Sequence, residues 1–124
     1  EVTVTSGASE AIFDAIHAVV RAGDEVIVLD PCYDCYEPAI DLAGARAVHV
    51  ALDPVTFAPD WDAVRAAITP RTRMLMVNSP HNPSGAMMTA ADMHALVGIL
   101  RGTDILLLSD EVYEHIVFDG ARHE

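Results

Sequence analysis

Four short stretches carry side chains able to do chemistry, and each closely follows an apolar or strand-like run. "TSGAS" (5–9) offers small residues, the hydroxyls of Ser6 and Ser9 and the free amides of a helix start, a combination suited to holding a phosphate. It matches neither the P-loop nor the dinucleotide fingerprint, and an ordinary Gly/Ser helix start is the plainer alternative. "PCYDCYEP" (31–38) holds the only two cysteines, Cys32 and Cys35, at C-x-x-C spacing. A zinc centre needs four ligands and no second pair exists; His49 and His81 are candidate partners that nothing in their spacing supports. A redox pair belongs in a thioredoxin-like setting, whereas here Pro31 stands directly after a strand. "NSPHNPSG" (78–85) is stiffened by Pro80 and Pro83 and released by Gly85, which holds Asn82 in one pose. "SDEVYEH" (109–115) ends the apolar "ILLL" in a carboxylate pair with Tyr113 just beyond. An acid at the end of a buried strand is costly to ionise without a partner, so Asp110 invites a ligand. The alternative is that Asp110 caps a short helix at 111–116.

The elements that must position these stretches follow from periodicity. Strands are expected at 2–5, 25–30, 47–52, 73–78 and 105–110, three of them near-continuous apolar runs of the kind covered on both faces. Ile12, Ala15, Ile16, Val19 and Val20 recur at helical spacing, predicting a helix over 9–22 that Gly23 ends. Further helices are expected at 36–43, at 60–68 with an acidic first turn, and at 89–102, where Thr89 and Asp92 suit a capping box. Strands alternating with helices predict an α/β fold, a three-layer α/β/α unit around a mostly parallel sheet. In such sheets ligands sit beyond the carboxyl ends of the strands, where all four stretches lie.

With 124 residues, 52% of them hydrophobic, the chain has the makings of one core. A net charge of −12 disfavours nucleic acid, which needs clustered basic residues. No apolar run approaches the roughly 20 residues of a membrane span, no signal pattern opens the chain, and a cytoplasmic setting is expected. All seven basic residues are arginines, so any chemistry that requires a lysine amine must obtain it elsewhere. Opening on "EVTVTSG" and closing on "DGARHE", the sequence reads as a segment of something longer.

Taken in order, "VTSGASEAI", "DPCYDCYEP", "NSPHNPSG" and "SDEVYEH" resemble the pyridoxal-phosphate-dependent aminotransferases of fold type I. Within class I/II, the likeness is to the branch with the kynurenine (glutamine-phenylpyruvate) and methionine aminotransferases. The combination is specific and covers essentially the whole chain; each motif alone is weak. The resemblance implies that this is the central part of the large, cofactor-binding domain, with pyridoxal 5'-phosphate as cofactor and amino acids and 2-oxo acids as substrates. It places the cofactor phosphate at Gly7, Ala8 and Ser9 and a ring-stacking aromatic at Tyr33. Asn82 matches the residue that bonds the phenolic oxygen and helps meet the substrate carboxylate, with a cis bond to Pro83 as is usual in the family. Asp110 matches the partner of the pyridine nitrogen, and Tyr113 the second donor to the phenolic oxygen. The family's Schiff-base lysine and carboxylate-gripping arginine would lie beyond Glu124, and a lid from a dimer partner before Glu1. The segment alone is therefore expected to be inactive, and the full-length protein to be a homodimer.

The expected activity is transfer of an amino group from a hydrophobic, aromatic or sulfur-containing L-amino acid to a 2-oxo acid. The alternatives are a carbon–sulfur β-lyase on the same scaffold and the aminotransferase-like sensor domain of a transcription regulator. Two expectations concern the segment itself. Both cysteines should be free thiols, because a disulfide would pull Tyr33 out of line. The 2–5 and 105–110 strands should present open edges, leaving an isolated segment poorly soluble or molten.

Overall fold

The computed structural model describes residues 1–124, in the order α1 (Ala8–Val19), β1 (Glu25–Asp30), α2 (Tyr36–Leu42), β2 (Arg46–Ala51), α3 (Trp61–Ala67), β3 (Thr72–Asn78), α4 (Ala90–Leu100) and β4 (Leu106–Asp110). The four strands form one sheet in the order β2-β1-β3-β4, and every neighbouring pair is parallel.

Alternation along β1 and β3 builds the layers. Val26, Val28, Met74 and Met76 face α1 and α2, where Ile12, Ile16, Ala39 and Ile40 complete a buried cluster. Ile27, Leu29, Leu75 and Val77 face the opposite side and pack with Val64, Leu96 and Ile99 from α3 and α4. The two central strands are therefore apolar on both faces, and the fold is the expected α/β/α sandwich. The connection through α2 carries the chain from β1 to β2 on one side, and α3 returns it to β3 on the other. The order of connection thus reverses between β1 and β3, and that junction opens a crevice at their carboxyl ends.

Local signals explain several boundaries. Asp60 caps α3 by accepting from the amides of Asp62 and Ala63, both at 3.0 Å. Thr89 and Asp92 form the reciprocal capping box at the start of α4. Past the end of α2, Gly44 takes φ 74°, and a Cβ there would stand 3.1 Å from that of Ala22, so the tight turn requires glycine.

Four expectations are corrected. Residues 2–5 do not form a strand: Val2 and Val4 are each 91% exposed, because no strand of this chain lies beside them to accept their backbone bonds. Of the two edges expected to be open, only that of β4 is a strand, and its Leu106 and Leu107 are 38% and 44% exposed; β2 forms the other edge of the sheet. Residues 111–116 form successive turns rather than a helix, closed by Glu114 N–H to Glu111 O and Ile116 N–H to Tyr113 O. Helix α1 stops at Val19, ahead of Gly23, because the Arg21 amide is captured by the Asp24 carboxylate at 2.8 Å and the chain turns there. β2 lies one residue earlier than expected, which leaves buried Leu52 just past its end.

Candidate active site

Three strands end in polar residues, Asp30, Asn78 and Asp110, and the loops beyond them meet α1 at the same end of the sheet. A cavity of about 200 Å³ opens there, walled by Ala8, Ser9, Tyr33, Asn78, Asn82, Asp110, Val112 and Tyr113. Six of the seven residues singled out from sequence line it, drawn from four stretches spread along the chain. Gly7 stands one residue outside the wall as the N-cap of α1, at φ 103°, a backbone state that glycine adopts without strain. The amides of Ala8 and Ser9 have no partner within the chain, as expected for the first turn of a helix. Ser6 N–H is taken by the Glu10 carboxylate instead.

Asp110 forms the floor. It is 8% exposed; its carboxylate accepts from the Tyr36 hydroxyl at 2.6 Å and from Val112 N–H at 3.2 Å. No arginine or histidine lies within ion-pair distance, so every protein group that bonds this carboxylate is neutral. Burial and the neighbouring Asp110 carboxylate push the Tyr36 phenol well above its ordinary range, which keeps it a hydrogen-bond donor. Tyr36 also receives Tyr33 edge-on, with ring centroids 5.8 Å apart at 82°, and so braces the cavity's aromatic wall.

The opposite wall is tied to the same floor. The Asn78 side-chain amide donates to Asp110 O at 2.8 Å, and its carbonyl accepts from Asn82 N–H at 2.6 Å. The Asn82–Pro83 bond is cis, as are Ser79–Pro80 and Asp30–Pro31. His81 joins the two walls. Its Nε2 lies 2.8 Å from Pro31 O, which can only accept, so Nε2 carries the proton. Burial holds the ring's pKa below its usual value, the Pro31 bond opposing in part, so the ring is neutral at pH 7. Nδ1 consequently accepts from the Ser84 hydroxyl at 2.7 Å. This buried histidine fixes the separation between the Tyr33 loop and the Asn82 loop.

Tyr36 and Asn78 were not singled out from sequence, and His81 only as an unsupported zinc partner. Asn78 carries the signal that identified Asp110, a polar residue closing a buried apolar strand. Tyr36 looks like one more apolar-face residue of α2, and His81 like a loop residue, so only the fold reveals their partners.

Both cysteines are free thiols. Burial first, and then the Asp30 carboxylate, raise the Cys32 thiol to about 11, the reverse of what a redox-active thiol requires. Cys35 instead lies 3.5 Å from the Ser9 hydroxyl, linking the second stretch to the first.

The sequence pattern of the family "Aminotransferase class I and II" matches residues 1–124. The probable N-succinyldiaminopimelate aminotransferase of Mycobacterium tuberculosis is 50% identical over 125 residues, a match covering 99% of this chain and 32% of that protein. The methionine aminotransferase of Escherichia coli is 48% identical, with 99% and 32% covered. A crystal structure of a methionine aminotransferase from Escherichia coli superposes with a TM-score of 0.95 at 48% identity, over 98% of this chain and 32% of that one. Kynurenine–oxoglutarate transaminase 1 of Mus musculus is 38% identical, covering 98% of this chain and 31% of its own. The chain thus spans about a third of the length of the relatives it matches, and it belongs to the class I and II aminotransferases, a family that depends on pyridoxal phosphate.

Proposed function

We propose that this chain is the central, cofactor-holding part of the large domain of an aminotransferase that moves an amino group from an L-amino acid to a 2-oxo acid. The observation that carries the reading is the convergence of Ala8, Ser9, Tyr33, Asn82, Asp110 and Tyr113 on one cavity. The residues present fit pyridoxal 5'-phosphate. Unpartnered amides at the start of α1, beside the Ser9 hydroxyl, suit a phosphate. Asp110, enclosed and bonded only by neutral groups, suits a protonated ring nitrogen. When bound, the cofactor supplies an electron sink for the carbanion left on removal of an α-proton.

The chain's own residues then have distinct tasks. The Asp110 carboxylate would keep the proton on the pyridine nitrogen, and Tyr36 would keep Asp110 in place. Tyr33 would stack on the ring and fix its plane. The Asn82 side-chain amide and the Tyr113 hydroxyl would donate to the phenolic oxygen, with Asn82 also meeting the substrate carboxylate. The lysine that this chemistry requires would come from elsewhere in the whole protein, since this chain has none.

The preferred donor would be a hydrophobic, aromatic or sulfur-containing amino acid. The methionine and kynurenine aminotransferases among the relatives support that class. We infer further that the whole protein is a cytoplasmic homodimer that engages neither nucleic acid nor membrane. The charge of −12 on this segment argues against nucleic acid, and no helix of the chain is long and apolar enough to cross a membrane.

Full-length protein supplied with cofactor, L-methionine, L-phenylalanine or L-kynurenine, and a 2-oxo acid tests the reading by chromatography. The expected result is a new amino acid and a new oxo acid in equal amounts. No transfer from any of the donors would overturn the assignment, and a 2-oxo acid released together with free ammonia would make the enzyme a lyase.

A further inference from the structure

Behind the Tyr33 loop, away from the cavity, the ends of β1 and β2 bring together three side chains of ligand type that lie far apart in sequence. Asp30 closes β1. Cys32 follows it by two residues, and His49 stands on β2, opposite Val28 in the pairing register. A carboxylate oxygen of Asp30, the Cys32 sulfur and a ring nitrogen of His49 all lie within 4.8 Å of one another. His49 Nδ1 is 2.9 Å from Asp30 Oδ2, and Nε2 is 3.4 Å from Glu37 Oε1.

From this juxtaposition we propose a binding site for a divalent cation of the zinc type, with Asp30, Cys32 and His49 as ligands. Sulfur at roughly 2.3 Å and nitrogen and oxygen at roughly 2.0–2.2 Å from a tetrahedral ion leave ligand atoms some 3–4 Å apart, a spacing that small rotamer changes reach here. Mixed sulfur, imidazole and carboxylate donors select zinc over magnesium or calcium, which take oxygen alone. Glu37 fills the supporting role: with Nδ1 on the metal, Nε2–H points to a carboxylate that fixes the ring and its tautomer. Paired parallel strands hold two of the ligands, so the frame does not have to be assembled on binding.

The electrostatic setting favours a cation. The open cleft in front of the three ligands is lined by the carboxylates of Asp30, Asp34, Glu37 and Asp41; His49 is the only basic side chain on it, and no arginine reaches it. On binding, Cys32 releases its thiol proton to solvent and the sulfur becomes the metal's ligand; a water completes the fourth position. Cys35 takes no part, since its sulfur is turned toward Ser9. The C-x-x-C spacing therefore misleads: only its first cysteine belongs to the site, and its partners come from the two strands. Occupancy would also anchor the residue next to Tyr33, stiffening the wall on which the cofactor would stack.

The test uses cobalt(II) as the probe, titrated into the metal-free full-length protein and followed by absorption. The expected signature is a thiolate-to-cobalt charge-transfer band that saturates at one equivalent and is displaced by zinc. Cys32→Ser should abolish it, and Cys35→Ser should leave it intact. Glu37→Gln should weaken affinity by about 10–100-fold, the usual effect of losing the carboxylate behind a ligating histidine, and His49→Gln by at least as much. No band at one equivalent, a band of equal strength in Cys32→Ser, or one lost in Cys35→Ser would each overturn the site. None of these outcomes depends on the aminotransferase reading.

Discussion

Glu25 and Asp110 are both carboxylates closed off from solvent at the ends of strands, and the chain treats them in opposite ways. Glu25, at the amino end of β1, is 1% exposed, with Arg46 and Arg71 ion-paired to it at 2.8 and 2.6 Å and the Thr69 hydroxyl bonded at 2.6 Å. Its cover is thin, since both arginines are largely exposed themselves, yet both oxygens are used, Oε1 by the two arginines and Oε2 by Thr69. Asp110, at the carboxyl end of β4, has a phenol and a backbone amide and no cation. A carboxylate that has its cations is structure; one enclosed without a cation, facing a cavity, is a candidate site. Substitution should separate the two functions.

The largest effect is expected at Asp110. On the proposed function, Asp110→Asn in the full-length protein would remove the negative charge assigned to the ring nitrogen and should lower kcat by about 10²–10³-fold, the scale of losing one preorganised electrostatic partner. The melting temperature should move by no more than a few degrees, because the asparagine carbonyl still accepts from Tyr36. Turnover within threefold of wild type would remove Asp110 from the site.

Glu25→Gln should act on the fold and not on turnover. Leaving Arg46 and Arg71, both solvent-screened, without their acid should lower the melting temperature by a few degrees, while kcat measured well below the transition stays within a few-fold of wild type. pH gives a second handle. The Thr69 bond, the Arg46 and Arg71 bonds and the Arg71 charge hold the folded-state pKa of Glu25 at about 2, against an ordinary 4.5. A depressed carboxylate stabilises the fold above its unfolded pKa and loses that contribution as pH falls toward its folded pKa. Wild type should therefore lose stability between pH 4.5 and about 2, and Glu25→Gln should show a shallower decline over that range in thermal melts. Parallel curves for the two proteins would mean that Glu25 is not a major acid-sensitive group.

The same contrast explains what was legible in the sequence. β1 and β3 are continuous apolar runs, and both are buried on two faces as that pattern implies. β4 reads the same way, yet Leu106 and Leu107 are exposed, because a run of leucines reports what a strand could bury and not whether a neighbour is present. "EVTV" fails for the same reason. Asp110, Asn82 and Tyr113 could be picked out because each follows an apolar or constrained run at a strand's carboxyl end, whereas Tyr33 is reached only through the family resemblance. Tyr36 and His81 could not, since their importance lies in partners 74 and 50 residues away. Glu25 gives no local sign of its arginines either; both reach it only once the strands pair.

Tyr36→Phe sharpens the comparison by stripping Asp110 of its side-chain donor while leaving the ring that supports Tyr33. A hydrogen bond to a charged group is worth about 1.5–3 kcal/mol, and each 1.4 kcal/mol is about tenfold in affinity. Cofactor affinity of the full-length variant, followed by dialysis, should weaken by roughly 10–100-fold. An unchanged dissociation constant would mean that Asp110 needs no help from the protein to hold its position.

The smallest effect is expected at a third carboxylate, which tests whether neutral partners alone make a site. Asp92 also accepts only from neutral donors: the Thr89 amide and hydroxyl at 2.8 and 2.6 Å, and Trp61 Nε1 at 2.9 Å. Partial burial works against its charge, but the Thr89 and Trp61 bonds win and hold its pKa below the ordinary value. What it lacks is a cavity, since it lies at the start of α4 with its acceptor positions directed at its own helix cap and at the α3 tryptophan. Thr89→Ala, which opens the capping box, should cost about 1 kcal/mol in denaturant unfolding and leave kcat and KM of the full-length enzyme unchanged. A loss of turnover would show that α4 helps to set the Asn82 loop, and neutral satisfaction of a carboxylate would then be a weaker guide to function than enclosure beside an open cavity.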